Sequence, residues 1–148
     1  TVDAVFDSPS GAMVAHGRAA IEAMYIELFK VRGPAFHWTH DHCIEFDDAS
    51  PDRATGLVLS HAETCPSDVV SWAAMRYHDE YRREDGRWRI AKRSIHFLYY
   101  VPVTEYAGAL KERNRLFIRG ERLPADYPEN LAPWREFLAR HGGPGSRS

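Results

Sequence analysis

The sequence predicts an α+β fold in which a curled antiparallel sheet wraps around helices and forms a cone with an internal pocket. Two strand-like runs, residues 69–83 and 87–101, are each about 14 residues long, or about 46 Å, whereas a usual strand has about 5–6 residues. Right-handed twist accumulates along such a ribbon, so the sheet has to coil. With an amphipathic helix lying in the bend, the coiled sheet encloses a space of the kind in which small molecules bind.

The long ribbon has a turn signal at its centre. Asp85-Gly86 separates two runs rich in Val, Ile, Tyr, Phe and Trp, and this dipeptide favours a type I′ turn with positive φ at both central residues. We therefore expect residues 69–83 and 87–101 to pair with each other as an antiparallel hairpin.

Local patterns predict the elements that precede the hairpin. Residues 2–6 predict a first strand, and 17–30 predict a helix that Gly33-Pro34 ends. Residues 36–47 and 54–65 alternate as strands joined by a polar turn. The helix is amphipathic because its apolar residues recur with helical spacing: Ile21, Met24, Tyr25, Leu28 and Phe29.

The chain divides into a cone domain, residues 1–102, and a C-terminal tail, residues 103–148, which we expect to pack on the same domain. Pro133 suits the first turn of a short helix in the tail. One face of that helix carries Trp134, Phe137 and Leu138. Residues 142–148 are expected to be disordered.

Composition excludes several classes of partner. A net charge of −2, from 19 basic and 21 acidic residues, gives no electrostatic reason to expect nucleic acid or an acidic membrane. No apolar run approaches the ~18 residues needed to span a bilayer. Cys43 and Cys65 lie in predicted strands and are expected to be free, buried thiols, which indicates a reducing compartment and a cytoplasmic protein.

Two segments resemble a known family. Residues 3–6 read Asp-Ala-Val-Phe, and residues 77–90 of the hairpin read Tyr-His-Asp-Glu-Tyr-Arg-Arg-Glu-Asp-Gly-Arg-Trp-Arg-Ile. With the element order, they resemble the SnoaL-like branch of the nuclear-transport-factor-2-like fold over about residues 2–102. That family includes dehydratases, isomerases, cyclases, epoxide hydrolases, a dehydrochlorinase and non-catalytic binding domains, so the fold alone fixes no reaction.

Among the catalytic members, the chain is most similar to the hexachlorocyclohexane dehydrochlorinase and the bile-acid dehydratase. Their catalytic histidine opens the strand after the helix, and the resemblance assigns this role to His37, four residues before Asp41 and seven before Ile44. The dehydrochlorinase also has an active-site arginine five residues after the hairpin tryptophan. That position is Arg93, after Trp88.

The resemblance implies a cofactor-independent lyase of the dehydratase type, or an isomerase, that acts on a hydrophobic, cyclic small molecule and holds no metal. Such an elimination needs a base of near-neutral pKa, which the imidazole of His37 supplies. It also needs a positive group where negative charge develops, which the guanidinium of Arg93 supplies in a dry pocket. A non-catalytic module that binds a hydrophobic ligand or supports a partner subunit stays open as the alternative.

A carboxylate partner for His37 has no evident position. In relatives it lies on a helix before the first strand, whereas this sequence begins at Thr1, directly before the predicted strand. One expectation is a further helical segment before Thr1 that bears an Asp or Tyr. The alternative is that the tail folds back as a lid, with Glu105, Tyr106 or Asp126 as the partner.

Strand alternation leaves the direction of several histidines open. A regular strand puts His40 and His42 on the face opposite His37 and Asp41, so either a β-bulge changes the phase or His40 and His42 point inward. We expect the pocket to be lined by Asp41, His40, His42, His96 and Tyr77.

A metal site is the less favoured interpretation of the same histidines. Two histidines at i, i+2 point to one side of a strand, and Glu45 or His61 would complete the ligand set. However, cupin sites space the glutamate further from the second histidine and have a Gly-rich segment with a later histidine downstream, a pattern that residues 53–65 lack.

The ribbon is also expected to expose an apolar face. This face comprises Trp72, Ala74, Ile95, Phe97 and Tyr99 and is larger than a monomer usually leaves in water. The sequence therefore predicts a homodimer or homotrimer joined through the sheet, as relatives of this fold commonly are.

Overall fold

An eight-stranded mixed sheet curls around one helix, in a computed structural model that describes residues 1–143. Residues 144–148, most of the segment expected to be disordered, lie outside the described residues. The α-helices are α1 (Arg18–Val31), α2 (Tyr106–Ala109) and α3 (Ala132–His141), and a 3₁₀ turn covers Val103–Glu105. The strands are β1 (Val5–Asp7), β2 (Ala15–His16), β3 (Arg32–Phe46), β4 (Arg53–Pro66), β5 (Ser71–Glu84), β6 (Arg87–Pro102), β7 (Leu116–Ile118) and β8 (Glu121–Leu123).

Four long antiparallel strands, β3 to β6, form the body of the sheet, whose order is β2-β1-β6-β5-β4-β3. The edge of β6 that faces away from β5 is covered by short strands, since β1 and β7 pair with it in parallel at different points. The expected α+β architecture with a curled sheet is confirmed. Strands β2, β7 and β8 were not expected from the sequence, because two- and three-residue strands carry almost no periodic signal.

The long hairpin follows the turn chemistry of its sequence. β5 has 14 residues and β6 has 16, and Glu84 pairs with Arg87 across the turn. Asp85 has φ 51° and Gly86 has φ 73°, as a type I′ turn requires at both central positions. The predicted hairpin and its turn are therefore confirmed.

Helix α1 passes into β3 without a loop. The helix ends at Val31 and the strand begins at Arg32, four residues earlier than expected. Gly33-Pro34 therefore lies inside the strand and not between two elements. Pairing with β4 is irregular between Arg32 and Ala35, and an irregular stretch of an edge strand tolerates a proline, which donates no backbone hydrogen bond.

One face of the sheet, called the inner face here, packs against α1 and carries the core. Ile21, Met24 and Tyr25 of α1 pack against this core, and the rings of Tyr25 and Phe6 meet edge to face at 5.9 Å. The opposite side is called the outer face. The buried core residues are Phe6, Ala62, Ala73, Met75, Ile95, Phe97, Leu116 and Ala125.

The C-terminal tail closes part of the β6 edge. Leu116 and Ala125 are fully buried in the core. Asp126 binds the middle of β6 twice: its backbone N–H donates to the Phe97 carbonyl at 2.9 Å, and its Oδ2 accepts from the Phe97 N–H at 2.8 Å. These contacts satisfy backbone groups that an open strand edge would leave to water.

Single-residue bulges interrupt the long strands. Asp41 in β3, with φ 37°, is left unpaired between the pairs that His40 and His42 form. Ala91 and Leu98 are skipped in the same way in β6. Each bulge exchanges the faces of the residues beyond it.

Because of the bulge at Leu98, the expected apolar face does not exist as one surface. Ile95 and Phe97 lie on the inner face, in the core, whereas Trp72 and Tyr99 lie on the outer face. That part of the prediction is wrong.

Both cysteines are unpaired, but their burial differs from expectation. Cys43 is exposed, because it lies on the edge strand β3, and Cys65 is partly buried. The expected burial of Cys43 is therefore wrong. Within residues 1–143, no helix combines the length and the apolar character needed to cross a membrane.

Candidate active site

A cavity of about 450 Å³ lies between α1 and the inner face of the sheet. This volume suits a small organic molecule. Within residues 1–143, the polar groups that line it are hydroxyls, one imidazole and two guanidinium groups, with no carboxylate. The apolar part of the wall includes Phe6, Phe29, Ala62, Met75, Ile95 and Phe97.

His37 lies on the inner face of β3 and lines this cavity. Its backbone pairs with Ala62, and Thr39 two residues later pairs with Ser60, so all four residues belong to the cavity wall. Loss of water around the ring lowers the pKa of His37 below its ordinary value, and the positive charge of Arg32 lowers it further. His37 is therefore a neutral imidazole at neutral pH, which is the form that accepts a proton.

Arg93 reaches the same cavity from β6 and is fixed by Asp79. Its Nε donates to Asp79 Oδ1 at 2.8 Å and its Nη2 donates to Oδ2 at 2.6 Å, a bidentate pair with a carboxylate that is 0% exposed. The guanidinium also lies over the ring of Tyr77, 4.3 Å from its centroid. Burial opposes the charge of Arg93, but the hydrogen bonds with Asp79 and nearby charges outweigh it and raise the pKa of the guanidinium.

Asp79 was missed from the sequence, and it connects two parts of the inner face. Tyr81 Oη donates to Asp79 Oδ2 at 2.7 Å, so His42 Nε2, at 2.9 Å from that same Oη, is the donor to Tyr81. Burial, and then the Asp79 carboxylate, raise the pKa of Tyr81, which keeps its hydroxyl protonated. A hydrogen-bonded series therefore runs from His42 through Tyr81 and Asp79 to Arg93.

Of the residues expected to line the pocket, Tyr77 lines the cavity of His37 and Arg93. His42 lies on the inner face beyond the bulge, but it lines a neighbouring cavity of about 300 Å³ with Tyr81 and Trp88. Asp41 is the exposed bulge residue itself and lines neither cavity. The expectation that Asp41 lines the pocket is therefore wrong, because the positive φ of the bulge takes this residue out of the regular alternation of the strand.

His40 and His96 lie on the outer face, which corrects the expectation that they line the cavity. The ring of His40 is 5.2 Å from that of His61, and the ring of His96 is 4.7 Å from that of His78. The bulge at Asp41 separates His40 from His42, so the two do not share a face as the metal interpretation required. Within residues 1–143, no three His, Cys, Asp or Glu side chains are grouped to hold a metal ion.

The tail supplies no partner to His37 within the described residues, so the lid alternative is wrong for them. Glu105 forms an ion pair inside the tail, and Tyr106 packs edge to face on Trp72 at 5.0 Å, on the outer face. The Asp126 carboxylate accepts a hydrogen bond from the backbone N–H of Phe97. Donors at the cavity are instead the hydroxyls of Tyr25, Tyr77 and Tyr100, whose pKa values are each raised by burial.

Several solved structures share this architecture. A putative scytalone dehydratase from Novosphingobium aromaticivorans is 18% identical, with a TM-score of 0.61 over 69% of this chain and 68% of that one. A LinA-type hexachlorocyclohexane dehydrochlorinase from Novosphingobium barchaimii is 20% identical, with a TM-score of 0.60 over 70% of each chain. ActVI-ORFA from Streptomyces coelicolor is 22% identical, with a TM-score of 0.53 over 66% of this chain and 76% of that one. At these identities the likeness shows the fold, which is the nuclear-transport-factor-2-like fold that the sequence resembled.

Sequence comparison gives the family. Among curated proteins, none matches the chain significantly. A family profile described as a SnoaL-like domain matches residues 1–94, which is more than half of the sequence and includes β1 to β5 and the cavity residues His37 and Arg93. The chain therefore belongs to the SnoaL-like domain family.

Proposed function

We propose that the protein is a cofactor-independent lyase of the dehydratase type, or an isomerase, that acts on a hydrophobic, cyclic small molecule. The observation that carries this proposal is that His37 and Arg93 line one apolar-walled cavity of about 450 Å³. Family membership supports it, as do structural neighbours named as a putative scytalone dehydratase and a dehydrochlorinase.

In the proposed reaction, neutral His37 removes a proton from a carbon atom of the substrate and becomes an imidazolium. The electron pair forms the new double bond while the leaving group departs, or it forms an enolate that is reprotonated at another carbon in the isomerase case. Arg93, held by Asp79, stabilises the negative charge that develops. A tyrosine hydroxyl at the cavity can supply a proton to a leaving hydroxide.

Elimination from a panel of bicyclic β-hydroxy ketones tests the proposal, because the conjugated enone product absorbs ultraviolet light much more strongly than the ketone. His37→Gln removes the base and should lower kcat by ~10²-fold or more while leaving the melting temperature nearly unchanged. His61→Gln is the matched control, since His61 lies on the outer face beside His40. Unaltered turnover in His37→Gln would rule out the assignment, and saturable binding without turnover in the wild type would favour the binding module.

The pH dependence gives a second expectation. Because the pKa of His37 is lowered from its ordinary value of about 6.5, the neutral base persists to lower pH and the acidic limb of kcat/KM should lie below pH 6.5. Removing a nearby positive charge with Arg32→Gln should move this limb to higher pH. A limb that stays in place in both His37→Gln and Arg32→Gln would show that another group controls it.

A further inference from the structure

The two guanidinium groups at the cavity differ in whether their charge is compensated. Arg93 is paired with the buried Asp79 carboxylate through its Nε and Nη2 atoms. Arg32 makes no ion pair and no side-chain hydrogen bond within residues 1–143, and no carboxylate of that range lines the cavity. The cavity therefore carries one uncompensated positive charge at a mostly apolar wall.

The position of Arg32 directs this charge into the cavity. It is the first residue of β3, directly after the last residue of α1, and it is partly buried. Its side chain lines the cavity near three groups from different elements, since its charge lowers the pKa of His37 and opposes the burial that raises the pKa values of Tyr25 and Tyr100. These groups lie on β3, α1 and β6, and each faces the same space.

We propose that the molecule bound in this cavity is a hydrophobic anion, and that Arg32 binds its carboxylate or another singly charged anionic group. The proposal names the substrate class of the proposed lyase or isomerase and in that sense rests on it. The apolar wall takes the body of the molecule, and a guanidinium binds a carboxylate through two parallel hydrogen bonds.

The different roles of the two arginines also determine how the bound molecule is oriented in the cavity. Because Asp79 occupies two nitrogen atoms of Arg93, a substrate anion gains more binding free energy by pairing with Arg32 than with Arg93. Arg93 then remains available to stabilise the negative charge that develops during the reaction. His37 lies on the same strand as Arg32 and lines the same cavity, so it faces the space that the anchored molecule would occupy.

Binding of an isosteric probe pair tests the inference without turnover. The probes are 2-naphthoate and 2-naphthamide, which share the aromatic body and differ in charge, measured by isothermal titration calorimetry. The wild type should bind the carboxylate at least about 10-fold more tightly than the amide. Arg32→Gln should reduce this preference to about 2-fold or less and leave the amide affinity nearly unchanged. Arg87→Gln is the control, because Arg87 is exposed at the hairpin turn and should keep the preference.

Three results would overturn the inference: no preference for the carboxylate in the wild type, a preference that persists in Arg32→Gln, or no saturable binding of either probe. The NMR titration of His37 locates the ligand, since a bound carboxylate in the cavity should raise the pKa of His37. His37→Gln separates this inference from the proposed function. If that variant keeps the carboxylate preference while the wild type turns nothing over, the anion site stands and the proposed catalysis fails.

Discussion

At the scale of single residues, Asp79 determines how Arg93 is held. Its carboxylate is 0% exposed, whereas the Arg93 side chain is 28% exposed, so removing the negative charge leaves a mostly desolvated guanidinium without its partner. Asp79→Asn should therefore lower the free energy of unfolding by about 3 kcal/mol, at the lower end of the range for broken buried pairs. Urea denaturation followed by circular dichroism measures the change.

Asp52→Asn is the matched control for that measurement. Asp52 pairs with Arg83 at 2.7 Å, but both side chains are exposed, at 61% and 45%. Water and salt screen such a pair, so its loss should cost less than about 1 kcal/mol. Equal losses in Asp79→Asn and Asp52→Asn would contradict the view that the burial of Asp79 makes its pair with Arg93 structurally important.

At the scale of elements, the hairpin turn makes a quantitative prediction. Gly86 has φ 73°, where a side chain is strained. Apart from its two chain neighbours, no residue has a heavy atom within 4 Å of the position that a Cβ would occupy, so Gly86→Ala tests the backbone alone. We expect it to lower the free energy of unfolding by about 1–2 kcal/mol. Gly108→Ala is the control: it has no positive φ and equally open surroundings in α2, so it should be neutral or slightly stabilising. A loss of the same size in both variants would contradict the turn assignment.

The long strands also show what the sequence can and cannot predict. The hairpin, helix α1 and strand β4 follow from local patterns, because turn chemistry and apolar periodicity are local properties. The bulges are not. Counting back from the turn at Asp85-Gly86 with regular pairing places Asp79 opposite Lys92, whereas the bulge at Ala91 places it opposite Arg93. Ala91 carries no Gly or Pro signal, so the ion pair at the site could not be derived from the sequence.

The bulge in β3 had a weak signal that was open to two interpretations. Asp tolerates positive φ better than most residues, which agrees with Asp41 as the bulge. The change of phase allows both His37, before the bulge, and His42, after it, to face inward. Of the two alternatives that the sequence left open, the bulge is the one that forms, and it depends on tertiary pairing with β4. Arg32 carried no sequence signal, since its place at the cavity depends on the direct passage from α1 into β3.

At the scale of the whole molecule, the outer face carries an aromatic patch that residues 1–143 leave exposed. It is formed by side chains from three long strands and the tail, and all of them except Phe36 line a groove of about 380 Å³. Trp38 is 47% exposed and Trp72 is 38% exposed, which is unusual for such large apolar groups. The outer aromatic patch comprises Phe36, Trp38, Trp72, Tyr99 and Tyr106.

We propose that a second copy of the chain covers the outer aromatic patch, in a homodimer or homotrimer. Light scattering after size-exclusion chromatography should then give two or three times the monomer mass of 16.9 kDa at micromolar concentration. Trp38→Glu places a charge in the patch and should shift the mass toward the monomer, because an unpaired charge is costly to bury in an interface. Ile26→Glu is the control, since Ile26 is 49% exposed on α1, away from the patch, and should leave the mass unchanged. A wild type that stays at the monomer mass, or a dimer that Ile26→Glu disrupts and Trp38→Glu does not, would refute assembly through this face, and the inner-face cavity would then function in a single chain.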